Sequence, residues 1–187
     1  MAITVVSGLP RSGTSLMMQM LAAGGMPVLT DSLRAPDENN PLGYFEFEPI
    51  KATRRDSSWV RLAEGKAVKV VYALLRNLPA WHEYRVIMMH RDLAETIASQ
   101  RQMLRSSGRA GADVSDERLR VLFAREMAEV TAWLDSRIDF KVLDVQHRDC
   151  LENPATTAAV VNTFLGDALN ETAMAAAVDP DLHRHRR

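Results

Sequence analysis

The stretch Ile3–Leu16, ITVVSGLPRSGTSL, decides the fold. A β-branched run ends at Gly8, a loop with a proline and a second glycine follows, and apolar residues with helical spacing begin at Leu16. A strand, a tight loop and a helix N-terminus in this order form a site for phosphate, because backbone N–H groups there point at the anion. The sequence therefore predicts a strand over residues 3–8, a phosphate-binding loop, and a helix over residues 14–24.

The spacing of this loop follows the P-loop with one substitution. Gly8 and Gly13 are separated by four residues, and Ser15 occupies the final hydroxyl position. Thr14 stands where a P-loop NTPase carries lysine, and the nearest cation is Arg11. We therefore expect the loop to hold a phosphate without the lysine that contacts the β- and γ-phosphates of ATP or GTP. The residues expected to bind it are Pro10, Arg11, Ser12, Gly13, Thr14 and Ser15, the last four through their backbone N–H groups.

The composition is that of an ordinary folded domain. The chain has 187 residues, of which 47% are hydrophobic and 25% are charged, and this length suits one domain over residues 1–187. The net charge of −1 argues against nucleic acid or an acidic membrane surface as a partner, so a local cluster of cations must hold any anionic ligand. The single Cys150, the lack of a leader pattern and the lack of a roughly 20-residue apolar span predict a cytoplasmic protein.

Strand and helix patterns alternate along the rest of the chain. Strands are predicted over 67–74, 84–89 and 140–145, helices over 51–64, 92–106, 116–136, 154–165 and 170–177, and an irregular segment over 30–50. This alternation predicts an α/β fold, a three-layer sandwich with a mostly parallel central sheet like that of the P-loop NTPases. Ligands of such sheets bind at the carboxyl ends of the strands. The loop at Gly8–Ser15 and Arg91, which follows a predicted strand, should therefore lie at one edge of the sheet.

Two separated segments resemble the nucleotide-binding motifs of the sulfotransferases that use 3′-phosphoadenosine 5′-phosphosulfate (PAPS). The run Pro10–Leu16 resembles the 5′-phosphosulfate loop of that family, in which a lysine or arginine and a small residue precede Gly-Thr-Thr/Ser. Arg91 and Ser99, eight residues apart, resemble its 3′-phosphate site, and residues 177–186 are similar to the C-terminus of bacterial members. The resemblance implies a P-loop-type fold and PAPS as co-substrate. It also implies adenosine 3′,5′-bisphosphate (PAP) as product, with no metal.

The same resemblance implies residues for the transfer step. Arg11 takes the place of the family lysine that contacts the leaving phosphate, where a guanidinium stabilises charge as the S–O bond breaks. Glu46 ends the run Asn39–Glu46, which looks like an Asn-Pro-x-Gly-Tyr/Phe-Trp/Phe-Glu segment of bacterial members, and is the preferred base for the acceptor proton. Lys69 lies where many soluble members carry Lys-Thr-His, and is expected to stabilise sulfuryl charge. The alternatives to Glu46 as the base are Asp37 and Glu38.

The expected reaction is sulfuryl transfer from PAPS to a hydroxyl or amine of a small-molecule, carbohydrate or lipid acceptor. The chain departs from the family in its short length, in lacking the histidine of Lys-Thr-His, and in lacking a basic Arg-Lys-Gly loop near its C-terminus. Two other function classes stay open: a P-loop kinase using Mg-ATP, against which Thr14 argues, and a non-catalytic nucleotide-binding module. The histidines and the cysteine lack metal-ligand spacing, so no metal site is predicted. The sequence indicates neither the acceptor nor the oligomeric state.

Overall fold

A computed structural model describes residues 1–31, 33, 43–106, 108 and 114–179. Its four strands form one sheet in the order β2-β1-β3-β4, and every neighbouring pair is parallel. The strands are β1 (Ile3–Gly8), β2 (Ala67–Lys69), β3 (Tyr84–His90) and β4 (Phe140–Gln146). Because β1 lies between two other strands, the loop that follows it opens near the middle of the carboxyl edge of the sheet.

Helices cover both faces of this sheet. The α-helices of the described residues are α1 (Thr14–Ala23), α2 (Leu93–Ser106), α3 (Asp116–Asp135), α4 (His147–Glu152), α5 (Pro154–Leu165) and α6 (Glu171–Ala176). In the same described ranges, three 3₁₀ helices cover Glu48–Ala52, Ser58–Ala63 and Tyr72–Asn77. None of the helices described is both long and apolar enough to cross a membrane.

The core lies in two layers on opposite sides of the sheet. Alternate residues of a strand point to opposite faces, so Val5 and Val6 enter different clusters. Val5 packs with α3 and the 3₁₀ helices, whereas Val6 packs with α1, α4, α5 and α6. All six residues of β1 are buried, as expected for a parallel strand covered on both sides. The predicted α/β fold with a parallel central sheet between helical layers is confirmed.

Cys150 of α4 belongs to the core layer that contains Val6. Its side chain is fully buried, and burial raises the pKa of the thiol to about 12, with a smaller contribution from the carboxylate of Asp149. The thiol is therefore protonated at neutral pH and acts as a small apolar side chain.

The second strand is shorter than its sequence predicts. The β-rich run over 67–74 forms β2 only to Lys69, although Val70 is still buried and donates its N–H to the carbonyl of Val6 at 3.0 Å. The chain then turns into the third 3₁₀ helix, where the hydroxyl of Tyr72 hydrogen-bonds Glu126 of α3. The apolar pattern continues because this 3₁₀ helix also packs on the core, so the pattern alone could not show where the strand ends.

The single helix predicted over 51–64 is instead parts of two 3₁₀ helices. The hydroxyl of Thr53 donates to the carbonyl of Ile50 at 2.5 Å where the first helix ends. The carboxylate of Asp56 accepts the N–H of Ser58 at 2.9 Å where the second begins. The indole N–H of Trp59 donates to Thr53 Oγ1 at 3.0 Å, so a buried hydroxyl joins the two helices. Local polar contacts of this kind compete with a continuous helix.

We expect Thr53→Val to lower the free energy of unfolding by about 1–3 kcal/mol, because the buried N–H of Trp59 loses its acceptor. The matched control is Thr163→Val, since the hydroxyl of Thr163 donates to Asp167 at an exposed end of α5. The control should change stability by about 0.5 kcal/mol or less. Urea unfolding followed by fluorescence measures both, and equal losses in the two variants would contradict the role given to Thr53.

Candidate functional site

The loop between β1 and α1 is a tight turn in left-handed backbone. Arg11 and Gly13 have φ of 72° and 99°. The N–H of Ser12 donates to the carbonyl of Leu9 at 3.1 Å and closes the turn. This differs from the expectation that the N–H of Ser12 faces a ligand, because the turn itself uses that donor.

The first turn of α1 supplies backbone donors at the end of the loop. The N–H of Met17 donates to the carbonyl of Gly13 at 3.1 Å, so the helical ladder starts there and the preceding N–H groups have no acceptor within the helix. The carbonyl of Pro10 accepts from the side chain of Gln100 at 2.9 Å, and that of Arg11 accepts from Arg91 at 3.4 Å. Two carbonyl oxygens of the loop thus accept hydrogen bonds from side chains that follow β3 in the sequence. The N-terminus of α1 keeps the partial positive charge that favours an anion.

Two of the predicted cations meet at this loop with residues of α2. Arg11 Nε donates to Ser99 Oγ at 3.0 Å, a contact between residues 88 apart in sequence. Arg91, just beyond β3, bonds the Arg11 carbonyl and also pairs with Glu95, with 3.0 Å between Nε and Oε2. The two segments that the sequence singled out separately are therefore joined by direct hydrogen bonds.

A third cation, Lys69 at the end of β2, connects the loop to residues 43–47. Its Nζ lies 2.7 Å from the carbonyl of Tyr44 and 3.3 Å from Ser15 Oγ. The same Nζ lies 5.9 Å from the centre of the Tyr44 ring, within the range of a cation–π contact. Glu46 follows Tyr44 by two residues. Its backbone carbonyl accepts hydrogen bonds from the Thr30 hydroxyl at 2.9 Å and from the backbone N–H of Asp31 at 3.2 Å. These bonds fix the backbone at Glu46 beside the site.

Two side chains that contact the loop are absent from the residues that the sequence analysis singled out. Gln100 directly follows Ser99 and reaches Pro10. His147 directly follows β4, opens α4 and is 5% exposed. Its ring lies against Gly13, where an added Cβ would come 2.4 Å from Cδ2. Only the strand order places the end of β4 beside this loop, so no local signal in the sequence could have shown the contact.

His90 is engaged away from the loop. Its Nε2 lies 2.6 Å from Asp144 Oδ1 on the neighbouring strand β4. The two other carboxylates considered as the base, Asp37 and Glu38, lie outside the described residues, as do residues 180–187 at the C-terminus. Among the groups described, no three His, Cys, Asp or Glu side chains are grouped to hold a metal ion.

A buried hydroxyl in the loop has no hydrogen-bond partner in the structure. Ser12 is 1% exposed, and its Oγ is one of three such side-chain oxygens among the described residues, with those of Ser7 and Thr96. Buried polar atoms are almost always hydrogen-bonded, so the missing partner of the Ser12 hydroxyl requires an explanation. An oxyanion bound in the loop would supply an acceptor. Together with the first-turn N–H groups and the nearby cations, this orphan fits a phosphate ligand.

We expect Gly8→Ala to destabilise the protein by about 1–3 kcal/mol more than its control, because φ is 145° and an added Cβ would lie 2.5 Å from the carbonyl oxygen of Met89. The control is Gly25→Ala, where φ is 94° and nothing lies within 4 Å of the added Cβ. The control carries backbone strain alone, of about 1–2 kcal/mol. Urea unfolding measures the free energy of unfolding of both variants, and their difference is the cost of the close contact at Gly8 without the backbone strain. Equal stability would mean that β1 and β3 do not approach closely at Gly8.

Comparison with known proteins identifies the fold. No family model matches the chain, and no curated protein sequence matches it. A sulfotransferase domain from the curacin biosynthetic pathway superposes with a TM-score of 0.55 at 14% identity, covering 98% of this chain and 86% of that one. Mouse sulfotransferase SULT7A1, solved in complex with PAP, superposes with a TM-score of 0.53 at 18% identity, covering 94% of this chain and 62% of that one. The chain thus shares the α/β fold of two sulfotransferases, with a parallel four-strand sheet and flanking helices.

Proposed function

We propose that this chain, as one domain over residues 1–187, is a sulfotransferase that moves a sulfuryl group from PAPS to a hydroxyl or amine and leaves PAP. The observation that carries the proposal is the convergence of Arg11, Lys69, Arg91 and Ser99 on one loop at a helix N-terminus. The fold shared with two sulfotransferases, one of them complexed with PAP, supports it.

The nucleotide would be held at two points of this site. The first-turn N–H groups of α1 and the orphaned Ser12 Oγ suit the 5′-phosphate, since they offer donors at a positive helix end. Arg91 and Ser99 suit the 3′-phosphate. Arg91 is paired with Glu95, and Ser99 accepts from Arg11, so nucleotide binding would exchange these contacts for charge-assisted bonds to phosphate.

Arg11 and Lys69 would act in the transfer step itself. The bond between sulfur and the bridging oxygen breaks while a new bond forms between sulfur and the acceptor oxygen or nitrogen. Negative charge then builds up on the bridging oxygen, which remains on PAP. Arg11 stabilises that charge, and Lys69, within 3.3 Å of Ser15 on the loop, stabilises charge on the transferred sulfuryl group. Glu46 takes the proton that the acceptor loses.

Calorimetry distinguishes the proposal from the kinase and the binding module. PAP should bind without magnesium, and a preference for Mg-ATP would instead support a kinase. Transfer of labelled sulfate from PAPS to a panel of hydroxyl and amine acceptors then separates an enzyme from a module that only binds nucleotide. PAP binding with no transfer to any acceptor would contradict the proposed activity.

We expect Arg91→Gln to weaken PAP binding by about 10- to 100-fold, because a charged hydrogen bond of about 1.5–3 kcal/mol is lost. The matched control is Arg101→Gln on the following helix α2, since Arg101 pairs with Asp116 at 2.6 Å. The control should bind PAP as the unaltered protein does, measured by calorimetry. Unchanged affinity in Arg91→Gln would remove Arg91 from the nucleotide site.

We expect Lys69→Met to lower kcat by about 10²- to 10³-fold while changing the Kd for PAP only a few-fold, because the charge of Lys69 acts on the transferred group. Lys69→Arg keeps that charge and should recover most of kcat. The control is Lys141→Met, on an exposed position of β4. A loss of kcat in Lys69→Arg as large as that in Lys69→Met would assign Lys69 a purely structural role at Tyr44.

A further inference from the structure

A cavity of about 900 Å³, open to solvent, is lined by Asp31, Leu33 and residues of the segment 47–55. This volume is in the range of small-molecule sites. Part of its wall is apolar, formed by Leu33, Phe47 and Pro49. The ring of Phe47 packs edge-on against the buried Trp59, with 6.3 Å between ring centres, so this wall is anchored in the core.

The cavity is within reach of the transfer site. Lys69 bonds both Ser15 of the loop and the carbonyl of Tyr44. Phe47 follows Tyr44 by three residues, which limits the distance between their Cα atoms to roughly 10 Å. A molecule in the cavity that extends toward Tyr44 therefore approaches the loop from the side where Lys69 lies.

The charges around the cavity do not cancel. Two carboxylates line it, and each is already engaged. Asp31 accepts the backbone N–H groups of Glu48 and Leu33, which lower the pKa of its carboxyl, and Glu48 pairs with Lys51 at 2.6 Å. Arg54 and Arg55 also line the cavity.

These two arginines are available to a ligand. Both are exposed, and within the described part of the chain neither guanidinium group forms a hydrogen bond or an ion pair. An apolar wall next to two unengaged guanidinium groups is complementary to a molecule with an apolar body and an anionic group. Guanidinium forms forked bonds with carboxylate, phosphate and sulfate alike.

We propose that this cavity is the acceptor site and that the acceptor is an amphipathic anion. Its apolar body lies against Phe47, and its carboxylate, phosphate or sulfate group binds Arg54 and Arg55. This inference rests on the sulfotransferase function proposed above, and it names the class of acceptor that the reaction uses. The hydroxyl or amine that receives the sulfuryl group lies at the end of the acceptor away from the arginines.

Two dyes that differ in one charge test the cavity. 8-Anilinonaphthalene-1-sulfonate is an apolar anion, and N-phenyl-1-naphthylamine is the same ring system without the sulfonate. Fluorescence titration should show one binding site for the anionic dye, and Arg54→Glu/Arg55→Glu should weaken its binding by tenfold or more. The neutral dye should bind both forms within about twofold. The control variant is Arg61→Glu/Arg118→Glu, at exposed positions outside the cavity, and it should bind both dyes normally.

PAP calorimetry on the same samples keeps the two proposals apart. Normal PAP binding in Arg54→Glu/Arg55→Glu, with weaker anionic-dye binding, supports the cavity. Failure of PAP to bind the unaltered protein rejects the sulfotransferase proposal. Equal loss of both dyes, or no effect of the arginine variant on the anionic dye, overturns the acceptor site. In the labelled-sulfate assay, the anionic dye should raise the KM for the acceptor and leave the KM for PAPS unchanged. Competition against PAPS instead would place the dye in the nucleotide site and also overturn the inference.

Discussion

The site depends on two hydrogen bonds that side chains make to the carbonyl oxygens of the first loop. Gln100 holds the carbonyl of Pro10, and Arg91 holds that of Arg11. In an α-helix each N–H group bonds the carbonyl oxygen four residues earlier. The carbonyl oxygens of Pro10 and Arg11 precede the first two residues of α1 by four positions, so they are the acceptors that its first N–H groups would otherwise use. With the oxygens engaged elsewhere, the helix presents donors at its N-terminus. Arg91 just after β3 and Gln100 of α2 therefore shape the loop as much as the loop sequence does.

A chain with almost no net charge can still bind a strongly anionic ligand when its cations are placed together. Arg11, Lys69 and Arg91 come from three different strand ends, and the parallel sheet brings those ends to one edge. Each cation is held near the loop by an oxygen of Ser99, Tyr44 or Glu95. A bound anion would exchange the Ser99 and Glu95 contacts of Arg11 and Arg91 for bonds of its own, whereas the contact of Lys69 with Tyr44 can persist.

The parts of the fold that the sequence predicted well depend on neighbours in the chain. The strand over residues 3–8, the turn after it and the helix beginning at Thr14 follow from local pattern and glycine placement. The contact of Lys69 with Ser15 depends instead on β2 lying next to β1, and that of His147 with Gly13 on the position of β4. No spacing in one sequence specifies strand order. The division of residues 51–64 into two 3₁₀ helices was missed because single polar side chains, such as Thr53, decide it. The end of β2 was missed because the apolar pattern continues into a 3₁₀ helix that also packs on the core.

Cys150 makes the protein convenient for site-specific labelling. Burial raises the thiol pKa to about 12, so the thiol is protonated at pH 7, and the side chain is fully buried in the core. It is also the single cysteine of the chain. A thiol introduced at a fully exposed position such as Ile138 would therefore react with maleimide reagents while the native one stays untouched. Spectroscopic probes can thus be attached without first removing Cys150.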